Sequence, residues 1–264
     1  MPAVQLADGH LNYQLEGPQD APVLVLSNSL GTDLHMWDNQ VPALIRHFRV
    51  LRYDTRGHGQ SLISEGPYSI EQNGRDVLAL LAALGLDRVS FCGLSMGGLI
   101  GQWLAIHAPQ RLQRVVLCNT AAKIGNPDVW NPRIETVQRD GKAAMVALRD
   151  ASIARWFTPS FAVAAPATVD TVVSMLAQTS PQGYAANCAA VRDADFREQI
   201  SSITLPVLVV CGSEDAVTTP ADGRFMLERI AGAQMVELHA AHLSSVEASD
   251  AFTAPVLAFL TAAH

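Results

Sequence analysis

The feature that most constrains this chain is residues 88–98, Arg-Val-Ser-Phe-Cys-Gly-Leu-Ser-Met-Gly-Gly. Residues 89–92 form a short apolar run of strand type, and Met96 to His107 reads as a helix opened by small residues. Between them stands Ser95, flanked by Gly93 and Gly97 at the spacing G-x-S-x-G. A strand that turns directly into a helix doubles its backbone back on itself, which leaves no room for side chains at the flanking positions. Such a turn lifts the serine hydroxyl clear of the sheet. It also aims the first N–H groups of the helix at any negative charge that develops beside that hydroxyl. The pattern alone is loose in a chain with 18 glycines, so its weight comes from the strand before it and the helix after it. Ser95 is a candidate nucleophile.

Residues 10–15 alternate polar with apolar, the period of a half-buried strand, and together with residues 4–6 and the turn at Asp8-Gly9 they predict an N-terminal hairpin. The pattern then changes. Residues 22–26, 50–53, 89–92, 115–118, 206–211 and 235–238 are short, nearly continuous apolar runs, and most intervals between them have helical periodicity. Continuous rather than alternating runs imply strands covered on both faces, hence a mostly parallel sheet of eight strands with helices on both sides. Ligands in such sheets bind at the carboxyl ends of the strands. The candidate residues must therefore be sought in the loops that follow each run.

After 22–26 comes the small polar turn Ser27-Asn28-Ser29-Leu30-Gly31, and after 50–53 comes Asp54-Thr-Arg-Gly-His-Gly-Gln-Ser61. His58 lies in a glycine-flanked turn, where it reads as part of a hydrogen-bonded loop with Asp54 and Arg56 rather than as a base. Gly57-His58-Gly59 is not a dinucleotide motif, since no third glycine and helix follow at the required spacing. Between Cys118 and Pro206 the sheet pattern lapses. Residues 133–150 and 168–178 read as helices punctuated by Pro127, Pro132, Pro159, Pro166 and Pro181. The expected organisation is a core of residues 1–120 and 203–264, with a helical lid, 121–202, inserted over the carboxyl end of the sheet. The run at 206–211 is followed by Glu214 and Asp215, either of which could reach the sheet edge. The last run is followed by His239, expected to continue the strand, and by His242, the better-placed base. A C-terminal helix is expected over 247–260.

A net charge of -7 argues against nucleic acid or an anionic membrane as partner, and any anionic substrate would need a local arginine or lysine. No apolar run approaches the ~18 residues of a membrane span. Pro2 follows Met1 with no basic segment leading into an apolar one, so no secretion signal is expected. Cys92, Cys118, Cys188 and Cys211 lie far apart and three of them close apolar runs, which suits buried thiols in a reducing compartment, the cytoplasm.

An alcohol at its ordinary pKa needs a base, and the base needs an anion that fixes its tautomer. Ser95, Asp215 and His242 occur in that order, each after a different predicted strand, and the order is that of α/β-hydrolases. The chain resembles that family over nearly its whole length. It is similar above all to one branch, the 3-oxoadipate enol-lactonases. The resemblance is carried by residues 26–37 (Leu-Ser-Asn-Ser-Leu-Gly-Thr-Asp-Leu-His-Met-Trp), by 52–59 (Arg-Tyr-Asp-Thr-Arg-Gly-His-Gly), by 92–98 (Cys-Gly-Leu-Ser-Met-Gly-Gly) and by 211–215 (Cys-Gly-Ser-Glu-Asp) with Thr218 and Pro220. Many α/β-hydrolases have His-Gly in the oxyanion turn; this chain has Asn28-Ser29, a departure the enol-lactonases share. The resemblance implies Ser95 as nucleophile, His242 as base and then acid, Asp215 as the orienting carboxylate with Glu214 as its rival, and the N–H groups of Leu30 and Met96 as oxyanion donors. It implies no metal and no organic cofactor, and a small anionic lactone as substrate.

The free carboxylate of that lactone calls for a cation. Lys123, Arg133, Arg155 and Arg192 are candidates, with Arg133 first because it follows a Trp130-Asn131-Pro132 turn soon after the strand ending at Cys118. Trp130 and Trp156 are candidate pocket walls. His35, His47 and His107 read as structural. A general carboxylesterase, a perhydrolase-type haloperoxidase, or a ligand receptor on the same fold remain open alternatives; a dehalogenase is disfavoured because its elbow nucleophile is an aspartate.

Overall fold

The computed structural model describes residues 2–262. Eight strands form a single sheet: β1 (Ala3–Leu6), β2 (Gly9–Glu16), β3 (Val23–Ser27), β4 (Arg49–Tyr53), β5 (Val89–Leu94), β6 (Leu112–Cys118), β7 (Val207–Gly212) and β8 (Gln234–Leu238). Their spatial order is β1-β2-β4-β3-β5-β6-β7-β8. The N-terminal hairpin β1-β2 adds antiparallel to β4, and every later neighbour pair is parallel. This is the mostly parallel sheet expected from the apolar runs. β5 and β7 are buried at every residue, as central strands covered on both faces must be. Because β4 lies on one side of β3 and β5 on the other, the chain reverses direction across the sheet here and leaves a crevice at the carboxyl ends of β3 and β5.

The helices in chain order are α1 (Val41–Leu44), α2 (Ile70–Ala83), α3 (Met96–His107), α4 (Pro127–Asp140), α5 (Lys142–Trp156), α6 (Pro159–Ala164), α7 (Pro166–Gln178), α8 (Pro181–Asp193), α9 (Pro220–Arg229), α10 (Ser244–Glu247) and α11 (Ser249–Thr261). The five from α4 to α8 fill the interval between β6 and β7. Four helices start alike: Asn126-Pro127, Thr158-Pro159, Ser180-Pro181 and Thr219-Pro220 each place a capping side chain before a proline at the first helical position. Proline is favoured there because the N–H it lacks would have no intrahelical acceptor.

Three local expectations need correction. The single helix expected over 133–150 is two, α4 and α5, because Gly141 (φ 55°) adopts a left-handed backbone and reverses the chain. α4 begins before residue 133, so Trp130-Asn131-Pro132 is not a turn but lies within the helix, Pro132 included. His239 does not continue β8: it follows the last strand residue with an 81% exposed side chain and faces Glu214 at 3.2 Å.

Candidate active site

Ser95 sits between β5 and α3 with φ 57° and ψ -112°, a conformation that L-residues rarely adopt. The surroundings hold it there. Its N–H donates to Cys118 O (2.9 Å), its own carbonyl accepts from Thr120 Oγ1 (2.8 Å), and Gly97 N–H donates to Asn28 O (3.1 Å). A Cβ at Gly93 would stand 2.1 Å from Gly97 O, and one at Gly97 would stand 2.2 Å from Ser27 O. The two glycines are thus required by backbone-to-backbone approach.

The three residues singled out from sequence meet in space. His242 Nε2 lies 3.0 Å from Ser95 Oγ, and His242 Nδ1 lies 2.8 Å from Asp215 Oδ2. Asp215 is saturated with donors: Oδ1 accepts from the N–H groups of Val217 (2.8 Å) and Thr218 (3.0 Å), and Oδ2 also accepts from Thr218 Oγ1 (2.8 Å) and Asn119 Nδ2 (3.0 Å). Burial alone would raise its pKa. The His242 charge and the hydrogen bonds outweigh burial and bring the carboxyl to about 2. An ionised Asp215 makes Nδ1 the protonated nitrogen of a neutral imidazole, which leaves Nε2 free to accept the Ser95 proton. Glu214 is turned away toward His239.

The turn after β3 is tied down residue by residue. Asn28 Nδ2 donates to Tyr53 O (2.8 Å), Asn28 Oδ1 accepts from Trp37 Nε1 (3.0 Å), and Gly31 N–H donates to His58 Nε2 (2.9 Å). Within the described residues the N–H groups of Leu30 and Met96 have no acceptor, while their neighbours at 29, 31, 95 and 97 are all engaged.

His58 is the hydrogen-bonded loop residue that its glycine flanks suggest, with Asp54 bridging Leu34 N–H, Asn12 and Gln60 N–H around it. Burial brings its imidazole from 6.5 down to about 4. The unfolded chain therefore takes up this proton first as pH falls. The stabilisation is complete above about 6.5 and is lost progressively toward about 4. Melting temperature should fall through this window, and His58→Gln should remove part of the slope; parallel curves for the two proteins would exclude His58 as a source.

A cavity of about 260 Å³ opens on Ser95 and His242. Its floor includes Leu30, and its walls on the helical side include Trp130, Arg133, Arg155, Trp156 and Tyr184. Trp130 and Trp156 are also buried in the core, so they pack and line the cavity at once. Lys123 is paired with Asp195 (3.1 Å), and Arg192 with Asp193 and Asn131; neither lines this cavity. A larger groove of about 580 Å³ between α4 and α8 contains neither Ser95 nor His242. Glu247 joins the His242 loop to the helical insertion: its carboxylate accepts from Ala241 N–H (2.9 Å), Thr158 N–H and the Thr158 hydroxyl.

Sequence reasoning missed Asn119, Tyr184 and Glu247. Asn119 had a signal, since it directly follows β6 at the productive sheet edge. The other two had none, because each acts across distant chain segments. Among the described residues no group of three or more His, Cys, Asp or Glu side chains is placed to hold a metal ion, and no helix is long and apolar enough to cross a membrane.

Comparison with known proteins agrees with this architecture. The chain is 46% identical over 253 residues to 3-oxoadipate enol-lactonase 2 of Acinetobacter baylyi, covering 96% of this chain and 94% of that relative. It is 43% identical over 242 residues to 3-oxoadipate enol-lactonase 1 of the same organism, covering 92% and 90%. The crystal structure of the enol-lactonase from Burkholderia xenovorans superposes with a TM-score of 0.96 at 48% identity, covering 99% of this chain and 100% of that one. Residues 22–249 match the family model for the alpha/beta hydrolase fold. With the parallel sheet, the strained Ser95 elbow and a matched span from β3 to the start of α11, the chain belongs to the α/β-hydrolase family.

Proposed function

We propose that this protein is a serine hydrolase that opens 3-oxoadipate enol-lactone to 3-oxoadipate, a step in the 3-oxoadipate branch of aromatic catabolism. The observation that carries this reading is one cavity in which the Ser95–His242 pair faces guanidinium groups that have no carboxylate partner among the described residues. The enol-lactonase relatives support the same substrate.

In this reading Ser95 Oγ attacks the lactone carbonyl as His242 Nε2 takes its proton, and Asp215 stabilises the imidazolium. The N–H groups of Leu30 and Met96 hold the tetrahedral oxyanion, each worth on the order of 3 kcal/mol. Collapse breaks the ring C–O bond. His242 returns the proton to the departing enol oxygen, and the enol relaxes to the ketone. Water, deprotonated by His242, then attacks the acyl-enzyme and frees Ser95 and the dicarboxylate. These steps use only protein groups and water. Arg133, stacked 4.8 Å over the Trp130 ring, binds the substrate carboxylate, with Trp130 and Trp156 as walls. Residues 121–202 serve as the lid over residues 1–120 and 203–264, and the four buried free thiols suit the cytoplasm.

The test is the ultraviolet decay of 3-oxoadipate enol-lactone beside a neutral chromogenic ester. Fast, serine-dependent loss of the lactone with slow ester turnover is expected; fast ester turnover with the lactone untouched would overturn the substrate. Arg133→Ala should lower kcat/KM for the lactone by about 30-fold, the worth of a charge-assisted hydrogen bond, and affect the neutral ester much less. Equal losses would remove Arg133 from this role.

A further inference from the structure

Two guanidiniums share the wall of the Ser95 cavity, and they come from different helices. Arg133 projects from α4 and lies on the face of Trp130 at 4.8 Å. Arg155 projects from α5, and its Nη2 donates to the buried Ser152 hydroxyl at 2.9 Å. The buried Tyr184 of α8 faces both. Elsewhere on the helical insertion the arginines are compensated: Arg139 pairs with Asp140, Arg149 with Asp170 and Arg192 with Asp193. Arg133 and Arg155 have no carboxylate partner among the described residues, although the chain as a whole carries a net charge of -7. Burial and the nearby Arg133 charge both lower the pKa of Arg155. Two like charges held together in a partly desolvated wall repel one another, and an anion between them removes that repulsion.

We propose that Arg133 and Arg155 together form a carboxylate clamp that makes the site an ω-carboxylate-directed esterase, able to hydrolyse half-esters of linear dicarboxylic acids of about six carbons. The chain length rests on the enol-lactone reading. The leaving oxygen of a lactone stays attached to the acyl chain, so opening of the lactone gives an acyl-enzyme whose far end carries the free carboxylate. A mono-alkyl ester of adipic acid gives an acyl-enzyme of the same length. Ser95 displaces the alcohol, His242 protonates it as it leaves, and water releases adipate and regenerates the serine hydroxyl. Arg155 is thus a specificity-determining residue that neither the serine elbow nor the triad reveals.

The experiment follows proton release from monomethyl adipate and from dimethyl adipate with the full-length protein, Arg155→Ala and Arg155→Gln. The wild type should favour the half-ester in kcat/KM, and Arg155→Ala should lower the ratio of half-ester to diester by about 30-fold. A misfolded fraction lowers both substrates equally and leaves the ratio intact. Arg155→Gln keeps the stem and a hydrogen-bonding head without the charge, and supplies the ratio if the alanine variant does not fold. A wild type that prefers the diester, or a ratio unchanged in either folded variant, overturns the clamp. Half-ester turnover that depends on Arg155 while the enol-lactone is untouched would sustain the clamp and end the lactone reading. Lactone turnover with no half-ester hydrolysis would do the reverse.

Discussion

Ser95→Ala is expected to lower kcat by about six orders of magnitude while the fold survives. Its hydroxyl belongs to a residue that lines the cavity and lies 3.0 Å from a base, His242 Nε2. Without it the acyl-enzyme route closes, and what remains is the modest acceleration that oxyanion donors and binding give to direct attack by water. Stability should change little because the structural work at this position is done by the backbone, through Ser95 N–H to Cys118 O and Thr120 Oγ1 to Ser95 O. Alanine keeps the Cβ that already tolerates φ 57°. Single-turnover kinetics together with a thermal melt check both halves. Retained turnover in a folded variant would remove Ser95 as nucleophile.

The second large effect is expected at Asp215→Asn, a loss of about four orders of magnitude in kcat. All five hydrogen bonds around this side chain point inward to the carboxylate, from Val217, Thr218 twice, Asn119 and His242. An amide must put its NH2 somewhere. Placed against His242 Nδ1 it forces that nitrogen to accept, which puts the imidazole proton on Nε2 and blocks it from taking the Ser95 proton. Placed on the other side it collides with the N–H groups of Val217 and Thr218 and leaves buried donors unpaired. The first outcome acts on kcat and the second also lowers the melting temperature, so both are measured. Glu214→Gln, by contrast, changes an exposed residue paired with His239 and should leave kcat within about twofold. A larger loss at Glu214 than at Asp215 would reverse their assignments.

Much of this was legible from the chain because the signals are local. An apolar run long enough for one strand, a turn of small residues and a helical period fall within the 20 residues from Val89 to Ala108, and they place Ser95 at a strand end with no knowledge of the rest of the fold. Asp215 and His242 follow β7 and β8 in the same way, and a parallel sheet delivers all such loops to one edge. His58 could be set apart from His242 on the same grounds, and the structure gives it a hydrogen bond to Gly31 N–H rather than to Ser95.

The helical insertion was less legible, because helix periodicity reports which residues share a face but not where two adjacent helices part. Asp140-Gly141 is the single break in a long helical pattern, and reading through it made α4 and α5 one element. As one continuous helix from 133 to 150, the pattern ends before residue 155 and says nothing of Arg133 and Arg155 meeting. The reversal at Gly141 brings them to one wall.

What the sequence by itself determined is the α/β-hydrolase sheet and the strand-end positions of Ser95, Asp215 and His242, since strand period, turn chemistry and chain order are properties of contiguous residues. What only the tertiary structure decided is the environment of those groups: the idle N–H groups of Leu30 and Met96, the Asn119 donor on Asp215, the Glu247 tie to Thr158, and the uncompensated pair Arg133 and Arg155. Each depends on the packing of segments that are far apart in the chain, and no local pattern encodes that.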